Sequence, residues 1–210
     1  MANLDTYLQT EKLGKRFNRE WIFKELTYRF NAGKTYAITG PNGSGKSTLL
    51  QVLWGQVPSS AGTLSYKVNG IAQPIDNIFE HVSIATPYLD LIEEFTLIEL
   101  LDFHFKMRKL RPGLSMKELP ELLELAHAKD KLIGNYSSGM RQRVKLGLAM
   151  FTEASFVFLD EPFTNLDEKA INWYKNQLNL ITDSVIFVAS NDPREYENSH
   201  ESIKMGDFKF

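Results

Sequence analysis

One glycine-rich stretch, Gly40-Pro-Asn-Gly-Ser-Gly-Lys46-Ser47-Thr48, constrains the fold of this chain more than any other feature. Its spacing is that of a phosphate-binding P-loop. The apolar run before it, 35–39, predicts a buried strand, and the run after it, 46–53, predicts a helix. Glycines let backbone N–H groups turn inward at a helix N-terminus, which favours anions. A chance glycine-rich turn is the alternative, but the strand and helix context favours nucleoside triphosphate binding.

Each residue of the loop is therefore a predicted nucleotide contact: Gly40, Pro41, Asn42, Gly43, Ser44, Gly45, Lys46, Ser47 and Thr48. The ammonium group of Lys46 is expected to reach the β- and γ-phosphates. The hydroxyl of Ser47 is expected to bind Mg²⁺.

Composition excludes several classes of protein. A length of 210 residues with 43% hydrophobic content suits one domain, or one core with an inserted subdomain. The net charge of −2 argues against a sequence-independent nucleic-acid binder, so we expect no nucleic-acid partner. No apolar run is long enough to cross a membrane, and the first residues lack the pattern of a signal peptide. The absence of cysteine fits a cytoplasmic location.

The hydrophobic pattern predicts the α/β class. Short alternations over 4–30 indicate antiparallel strands, whereas 95–150 has mainly helical periodicity. Further strands are predicted at 63–68, 82–85, 156–159 and 185–189, and helices at 97–105, 115–127, 140–150 and 168–180. We expect a single domain over 1–210. It would contain a P-loop NTPase core with a parallel sheet, a small antiparallel β subdomain and an inserted helical subdomain over approximately 92–150.

Two adjacent carboxylates, Asp160 and Glu161, follow the apolar run Phe156-Val-Phe-Leu159. Ligands bind beyond the carboxyl ends of parallel strands, so this placement suits a nucleotide site. In P-loop NTPases such an Asp helps to hold Mg²⁺, and a second carboxylate can activate the attacking water. A solvated acidic turn is the alternative, and the nearby P-loop makes it the weaker one.

The segment Tyr136-Ser-Ser-Gly-Met-Arg-Gln-Arg143 resembles the signature motif Leu-Ser-Gly-Gly-Gln of ATP-binding cassette (ABC) transporter subunits. Ser137 and Gly139 keep two motif positions, whereas Ser138 and Met140 depart from it. The spacing from Ser137 to Asp160, 160 − 137 = 23, also follows the family pattern. The resemblance implies that Ser137 and Gly139 contact the γ-phosphate of ATP held by an opposite subunit. An ordinary helix N-cap at Ser137 is the alternative.

The same resemblance implies a function, cofactors and partners. It implies ATP hydrolysis with Mg²⁺, coupled to transport through membrane-spanning subunits at the cytoplasmic face of the membrane. Two copies would form a head-to-tail homodimer with ATP between them, or the chain would pair with a homologous subunit. Two other functions stay open: an ABC-type ATPase not linked to transport, and a nucleotide-dependent clamp with slow turnover.

Further family positions are matched one at a time. Phe17 lies where the family has an aromatic residue that stacks on adenine, with Trp21 as a competitor and a core role as the alternative. The segment Asn165-Leu-Asp167 matches the one that crosses to the partner subunit, although Asp167 also suits a helix N-cap.

Two positions depart from the family pattern and put the hydrolysis rate in question. The segment Ile84-Ala-Thr-Pro-Tyr88 lacks the usual Gln, so that role is unassigned. Asn191 stands where the family has its switch His, and its amide can donate a hydrogen bond but cannot carry a positive charge. The resulting catalytic set is Lys46, Glu161 and Asn191.

The remaining polar clusters have ordinary interpretations. The four histidines, His81, His104, His127 and His200, are expected on the surface. A basic cluster contains Lys106, Arg108, Lys109 and Arg111. A solvated helix end is favoured for it over a membrane-facing surface.

Overall fold

A computed structural model describes residues 5–209. The strands, in chain order, are β1 Tyr7–Phe17, β2 Glu20–Asn31, β3 Lys34–Thr39, β4 Ala61–Val68, β5 Ile71–Gln73, β6 Val82–Ala85, β7 Phe156–Asp160, β8 Val185–Ser190 and β9 Glu201–Lys204. The α-helices are α1 Lys46–Leu53, α2 Leu97–Met107, α3 Leu119–Leu122, α4 Ser138–Phe151, α5 Glu168–Asn179 and α6 Pro193–Tyr196. This architecture confirms the predicted α/β class.

A five-stranded parallel sheet, in the order β6-β7-β8-β3-β9, forms the centre of the fold. Every residue of β7 and of β8 is buried. Such continuous apolar runs are expected where both faces of a parallel sheet are covered. Because β7, β8 and β3 are neighbours, the loops after their carboxyl ends lie at one edge of the sheet. The P-loop, Glu161 and Asn191 are in these loops, and Asp160 is the last residue of β7.

Side chains of β7 alternate between two cores. Val157 and Leu159 face a core that includes α2, α4 and α5. Phe156 and Phe158 face a second core, which α1 and the antiparallel sheet cover. Phe158 stacks on Phe187 of β8 with ring centroids 4.7 Å apart. The parallel sheet is therefore covered by helices on one face and by α1 with a second sheet on the other.

The second sheet is antiparallel and has the order β2-β1-β4-β5. Phe30 of β2 reaches the parallel sheet, where its ring centroid lies 5.0 Å from that of Tyr36 and 4.8 Å from that of Phe187. These edge-to-face contacts join the two sheets. The sheet also delivers Ile22 of β2 to the P-loop, as described below.

The segment 115–127 does not form the predicted helix. Only Leu119–Leu122 is α-helical, between 3₁₀ turns at Met116–Glu118 and Ala126–Ala128. Glu124 has a φ of 54°, a left-handed conformation that ends the helix. The apolar spacing is satisfied by short turns that bury Leu119, Leu123 and Leu125.

Two surface expectations are wrong in part. His104 is half-buried and hydrogen-bonds to Thr152 Oγ1 at 2.9 Å, and burial lowers the pKa of its imidazole to about 4. Arg108 donates to the carbonyl oxygens of Phe79 and Val82, and Arg111 donates to those of Met150 and Thr152. These arginines therefore connect elements of the fold, whereas Lys106 and Lys109 are exposed, as expected for a solvated helix end.

Over residues 5–209, no helix is both long enough and apolar enough to cross a membrane.

Candidate nucleotide-binding site

A cavity of about 440 Å³ lies beside the P-loop. The P-loop residues 42–48 form one wall, and Ile22, Tyr88 and Glu161 form the rest. The carboxyl ends of β3 and β7 supply residues 42–48 and Glu161, so two separate parts of the sequence meet here. Gly40 and Pro41 do not line the cavity, but their carbonyl groups hold Lys46.

Two glycines of the loop leave no room for a side chain. Gly45 has a φ of 99°, and a Cβ atom there would lie 2.4 Å from Ile22 Cγ2. A Cβ atom on Gly40 would lie 2.7 Å from Ser44 Oγ. A side chain at either position would displace the loop, since real Cβ contacts are longer. Ile22 therefore fixes how closely the antiparallel sheet approaches the P-loop.

Lys46 and Ser44 provide the polar interior of the loop. Lys46 is 5% exposed, and its Nζ donates to the carbonyl oxygens of Gly40 at 2.9 Å and Pro41 at 3.3 Å. Ser44 Oγ is buried without a hydrogen-bond partner in the described chain. A buried hydroxyl without a partner is costly, and a phosphate oxygen would satisfy it. The residues present therefore fit a bound polyphosphate.

Asp160 lies behind the loop and is 3% exposed. Its Oδ1 has no hydrogen-bond partner within residues 5–209, and the Ser47 hydroxyl lies close enough to the carboxylate to influence its pKa. The pKa of the Asp160 carboxyl is raised above its usual value, mainly by burial and also by the nearby Glu161. Ser47 and Lys46 offset part of this increase. A hydroxyl and a carboxylate are oxygen ligands of the kind that Mg²⁺ prefers, so this pair fits that ion.

Glu161 adopts an uncommon backbone conformation at the edge of the cavity. Its φ is 47°, in the left-handed region that a non-glycine residue rarely occupies. Its N–H donates to the carbonyl oxygen of Ala189 in β8 at 2.9 Å. Strained backbone of this kind costs about 1–3 kcal/mol and persists only where the surroundings fix it.

Asn191 lies against the P-loop. Its Nδ2 donates to Asn42 Oδ1 at 3.0 Å. The turn that follows is capped by other residues: Asp192 accepts from the N–H of Arg194, and Ser190 Oγ accepts from the N–H of Asp192. Other side chains therefore cap this turn, and the side chain of Asn191 contacts the P-loop.

Three predicted site residues lie apart from this cavity. Ser137 is the N-cap of α4, where its Oγ accepts from the N–H of Met140 at 3.2 Å, and the side chain is exposed. Gly139 follows it and lies close to the carbonyl oxygen of Asn165. Phe17 ends β1, is 48% exposed and has Lys15 Nζ 4.8 Å from its ring centroid. One copy of the chain does not bring these residues to the P-loop.

Sequence reasoning missed four residues of this region. Ile22 and Tyr88 line the cavity, and Gln142 and Glu195 make buried contacts behind it. No motif identifies Ile22 or Glu195, because their positions depend on packing between distant segments. Gln142 offers one signal: a polar residue on the inward face of α4 needs a buried partner.

Several curated proteins are similar to this chain. It is 30% identical over 169 residues to the linearmycin resistance ATP-binding protein LnrL of Bacillus subtilis, covering 79% of this chain and 54% of that protein. It is 30% identical over 188 residues to the Nod factor export ATP-binding protein I of Burkholderia lata, covering 87% and 62%. It is 28% identical to the sulfate/thiosulfate import ATP-binding protein CysA of Photorhabdus laumondii, covering 76% and 46%. The chain thus spans about half the length of these relatives.

Solved structures share the fold. A putative ABC transporter ATP-binding protein from Pyrococcus furiosus superposes with a TM-score of 0.82 at 18% identity, covering 97% of this chain and all of the other. A bacterial Atm1-family ABC exporter with ATP bound gives a TM-score of 0.77 at 16% identity, covering 95% of this chain and 37% of the exporter. The family model described as ABC transporter matches residues 23–164, which is more than half of the chain. The chain belongs to the ABC transporter family.

Proposed function

We propose that this chain binds and hydrolyses ATP and that the hydrolysis drives transport through membrane-spanning partner subunits. One observation carries the proposal: the P-loop, the acidic pair and Asn191 meet at one edge of the parallel sheet, where the P-loop and Glu161 line one cavity and Asn191 contacts Asn42. Family membership implies ATP binding. Relatives whose names record export, import and drug resistance support a role in transport.

The P-loop would bind the triphosphate. Lys46 and the inward-facing amides at the start of α1 supply positive charge and hydrogen bonds to phosphate oxygens. The Lys46 ammonium group already lies inside the loop, against the carbonyl oxygens of Gly40 and Pro41. Asn191, beside Asn42, would donate to the terminal phosphate. Phe17, or Trp21, would stack on adenine.

Ser47 and Asp160 would hold Mg²⁺, with the unpartnered Oδ1 of Asp160 as a free acceptor. When bound, this ion would neutralise charge on the phosphate oxygens. Glu161 would take a proton from the attacking water as general base. Phosphoryl transfer needs positioning and electrostatic stabilisation above all, and a buried, pre-arranged set of groups supplies both.

The complete site would need a second copy. Ser137 and Gly139 lie outside the cavity formed by one chain, and Ser137 is exposed. A head-to-tail homodimer, or a pair with a homologous subunit, would place them on the ATP of the opposite copy. In this arrangement 1–210 would act as one domain whose helical subdomain, about 92–150, carries the signature segment at the cytoplasmic face of a membrane.

Slow turnover is the second candidate function. Tyr88 lines the cavity from the segment where the family has a Gln, and Asn191 replaces the switch His. Both changes remove groups that assist hydrolysis and leave the phosphate-binding loop intact. Phosphate release by the purified chain separates an ATPase from a clamp. Co-purification with a membrane protein separates a transporter subunit from an ATPase with another role.

Replacement of Lys46 by alanine tests the phosphate-binding loop. Lys46→Ala removes the buried ammonium group, and charge-assisted hydrogen bonds of this kind contribute about 1.5–3 kcal/mol each. We expect an ATP affinity at least about tenfold weaker, measured by titration calorimetry with Mg²⁺. Lys106→Ala is the matched control, because Lys106 is exposed and its one ion pair within residues 5–209 is with Asp102 on its own helix. Equal ATP affinities in wild type and Lys46→Ala would refute the P-loop assignment.

A further inference from the structure

We propose that Gln142 and Glu195 are positioning residues for Glu161, and that they act by holding the Pro162–Phe163 peptide group from both sides. The inference rests on the proposed function, because it assumes that Glu161 activates water. It gives a role to Glu195 and to Gln142, a residue of the signature segment to which the resemblance assigns none. It also connects α4, whose N-cap is Ser137, and α6, which follows Asn191, to the proposed base.

Two buried side chains bind the two polar atoms of one peptide group. Gln142 Nε2, from α4, donates to the carbonyl oxygen of Pro162 at 3.1 Å. Glu195 Oε1, from α6, accepts from the N–H of Phe163 at 2.9 Å. Gln142 is 6% exposed and Glu195 is 8% exposed. The C=O and the N–H belong to the same planar unit, so the two bonds fix the orientation of that plane.

This plane lies one residue beyond Glu161, and little freedom separates them. The ring of Pro162 fixes its φ near −65°. Glu161 is held on its other side, where its N–H donates to Ala189. The chain around Glu161 is therefore anchored before and after the residue. Such anchoring explains how Glu161 keeps a φ of 47°, which is unfavourable for a residue with a side chain.

The carboxyl group of Glu195 is held at a cost to stability. Its Oε2 is buried and has no hydrogen-bond partner in the described part of the chain. Burial raises the pKa of this carboxyl to about 7. A buried polar atom without a partner destabilises the fold, so a residue of this type is an unfavourable choice for packing alone. The acceptor that it presents to Phe163 gives a reason for its presence.

Glutamine and alanine substitutions test the role of the peptide contacts. Glu195→Ala and Gln142→Ala each free one side of the peptide, and small misplacements of reacting groups cost up to about 100-fold in rate. We expect kcat for phosphate release to fall about tenfold or more in each variant, with the KM for ATP within about twofold of wild type. Glu195→Gln keeps an acceptor oxygen for the N–H of Phe163, so its kcat should stay within about threefold of wild type.

Tyr174→Phe is the matched control. The substitution removes the Tyr174 hydroxyl, which lies near Glu195 and, like Glu195 Oε2, is buried without a hydrogen-bond partner among the described residues. It leaves both peptide contacts intact. Its kcat should equal that of wild type. Each rate is divided by the concentration of folded protein, which the melting curve of the same preparation gives. If an alanine variant does not fold, Gln142→Leu or Glu195→Leu removes the same contact with less loss of volume.

Three results would overturn the inference. One is a wild-type kcat in folded Gln142→Ala and Glu195→Ala, or in their leucine counterparts, while Glu161→Gln is inactive. In that case the proposed function stands and only the inference fails. Another is a Glu195→Gln as slow as Glu195→Ala. The third is a wild-type protein that releases no phosphate from ATP, which would refute the proposed function itself and the inference with it.

Discussion

At the scale of single residues, Asn191 is where the proposed site departs most clearly from the family pattern that the sequence resembles. The family pattern has a His there, and the chain supplies an amide that contacts Asn42 of the P-loop instead. An amide donates a hydrogen bond but adds no charge. Asn191 contacts the loop through the side chain of Asn42, whereas Lys46 is held by the carbonyl oxygens of Gly40 and Pro41. Phosphate binding and phosphoryl transfer are therefore expected to respond differently to replacement of Asn191.

We therefore predict that Asn191→Ala hydrolyses ATP more slowly than wild type and binds it with nearly the same affinity. Removal of one well-placed donor costs about 10²–10³ in rate in favourable cases, and the loss here should be smaller because the wild type already lacks a cation. Asn191→His should be as fast as wild type or faster. The measurements are steady-state phosphate release and ATP titration on the same preparation.

Asp192→Ala is the control for a capping role. It removes the side chain that caps α6, which should lower stability by about 1 kcal/mol. If Asn191→Ala lowered the melting temperature as much as Asp192→Ala did and left kcat per folded molecule unchanged, Asn191 would be a structural residue.

At the scale of elements, the packing of α4 depends on a glycine. A Cβ atom on Gly147 would lie 2.2 Å from Leu123 Cδ2, and Leu123 is fully buried after α3. We predict that Gly147→Ala destabilises the protein, because overpacking costs about 1–3 kcal/mol and exceeds the gain of about 1 kcal/mol in helix propensity. Urea unfolding measures the change.

The cause can be isolated with a double variant. If the clash is responsible, Gly147→Ala should no longer destabilise a protein that already carries Leu123→Ala, because the interfering methyl group is gone. Gly206→Ala serves as a control, since a Cβ atom there meets nothing within 4 Å. Equal losses from Gly147→Ala in both backgrounds would show that the contact with Leu123 is not the cause.

Elements with strong local signals were predicted from the sequence. The helix 46–53 and the strand 82–85 were predicted with the bounds that the structure has. The short strands β5 and β9 were missed. β9 is a four-residue strand that alternates in burial and is defined by its pairing with β3, which comes from the other end of the chain.

The parts of the site that were missed, like strand β9, depend on contacts between segments that are distant in the sequence. The P-loop and the acidic pair follow apolar strands, so their position at one sheet edge was predictable from the hydrophobic pattern. The helix predicted over 115–127 failed because apolar spacing does not detect the left-handed turn at Glu124. Gln142 lies 20 residues before Pro162 in the sequence, and Glu195 lies 32 residues after Phe163. No local pattern encodes contacts between residues so far apart.

At the scale of the whole molecule, the proposed site is divided between two surfaces. The P-loop cavity lies at one edge of the parallel sheet, and Ser137 and Gly139 lie at the start of α4, outside that cavity. No contact in residues 5–209 joins Ser137 to the P-loop. In the proposed dimer, ATP held on one copy and covered by α4 of another would unite them, and the association of two copies would then depend on the nucleotide.

The oligomeric state of Glu161→Gln with ATP tests this account most directly. The substitution removes the general base and keeps the size of the side chain, so ATP binding should survive while hydrolysis stops. With excess Mg²⁺ and ATP, Glu161→Gln should sediment as a dimer with bound ATP. The double variant Lys46→Ala/Glu161→Gln should remain monomeric. A Glu161→Gln protein that stays monomeric with ATP bound, or that hydrolyses ATP at the wild-type rate, would contradict the account.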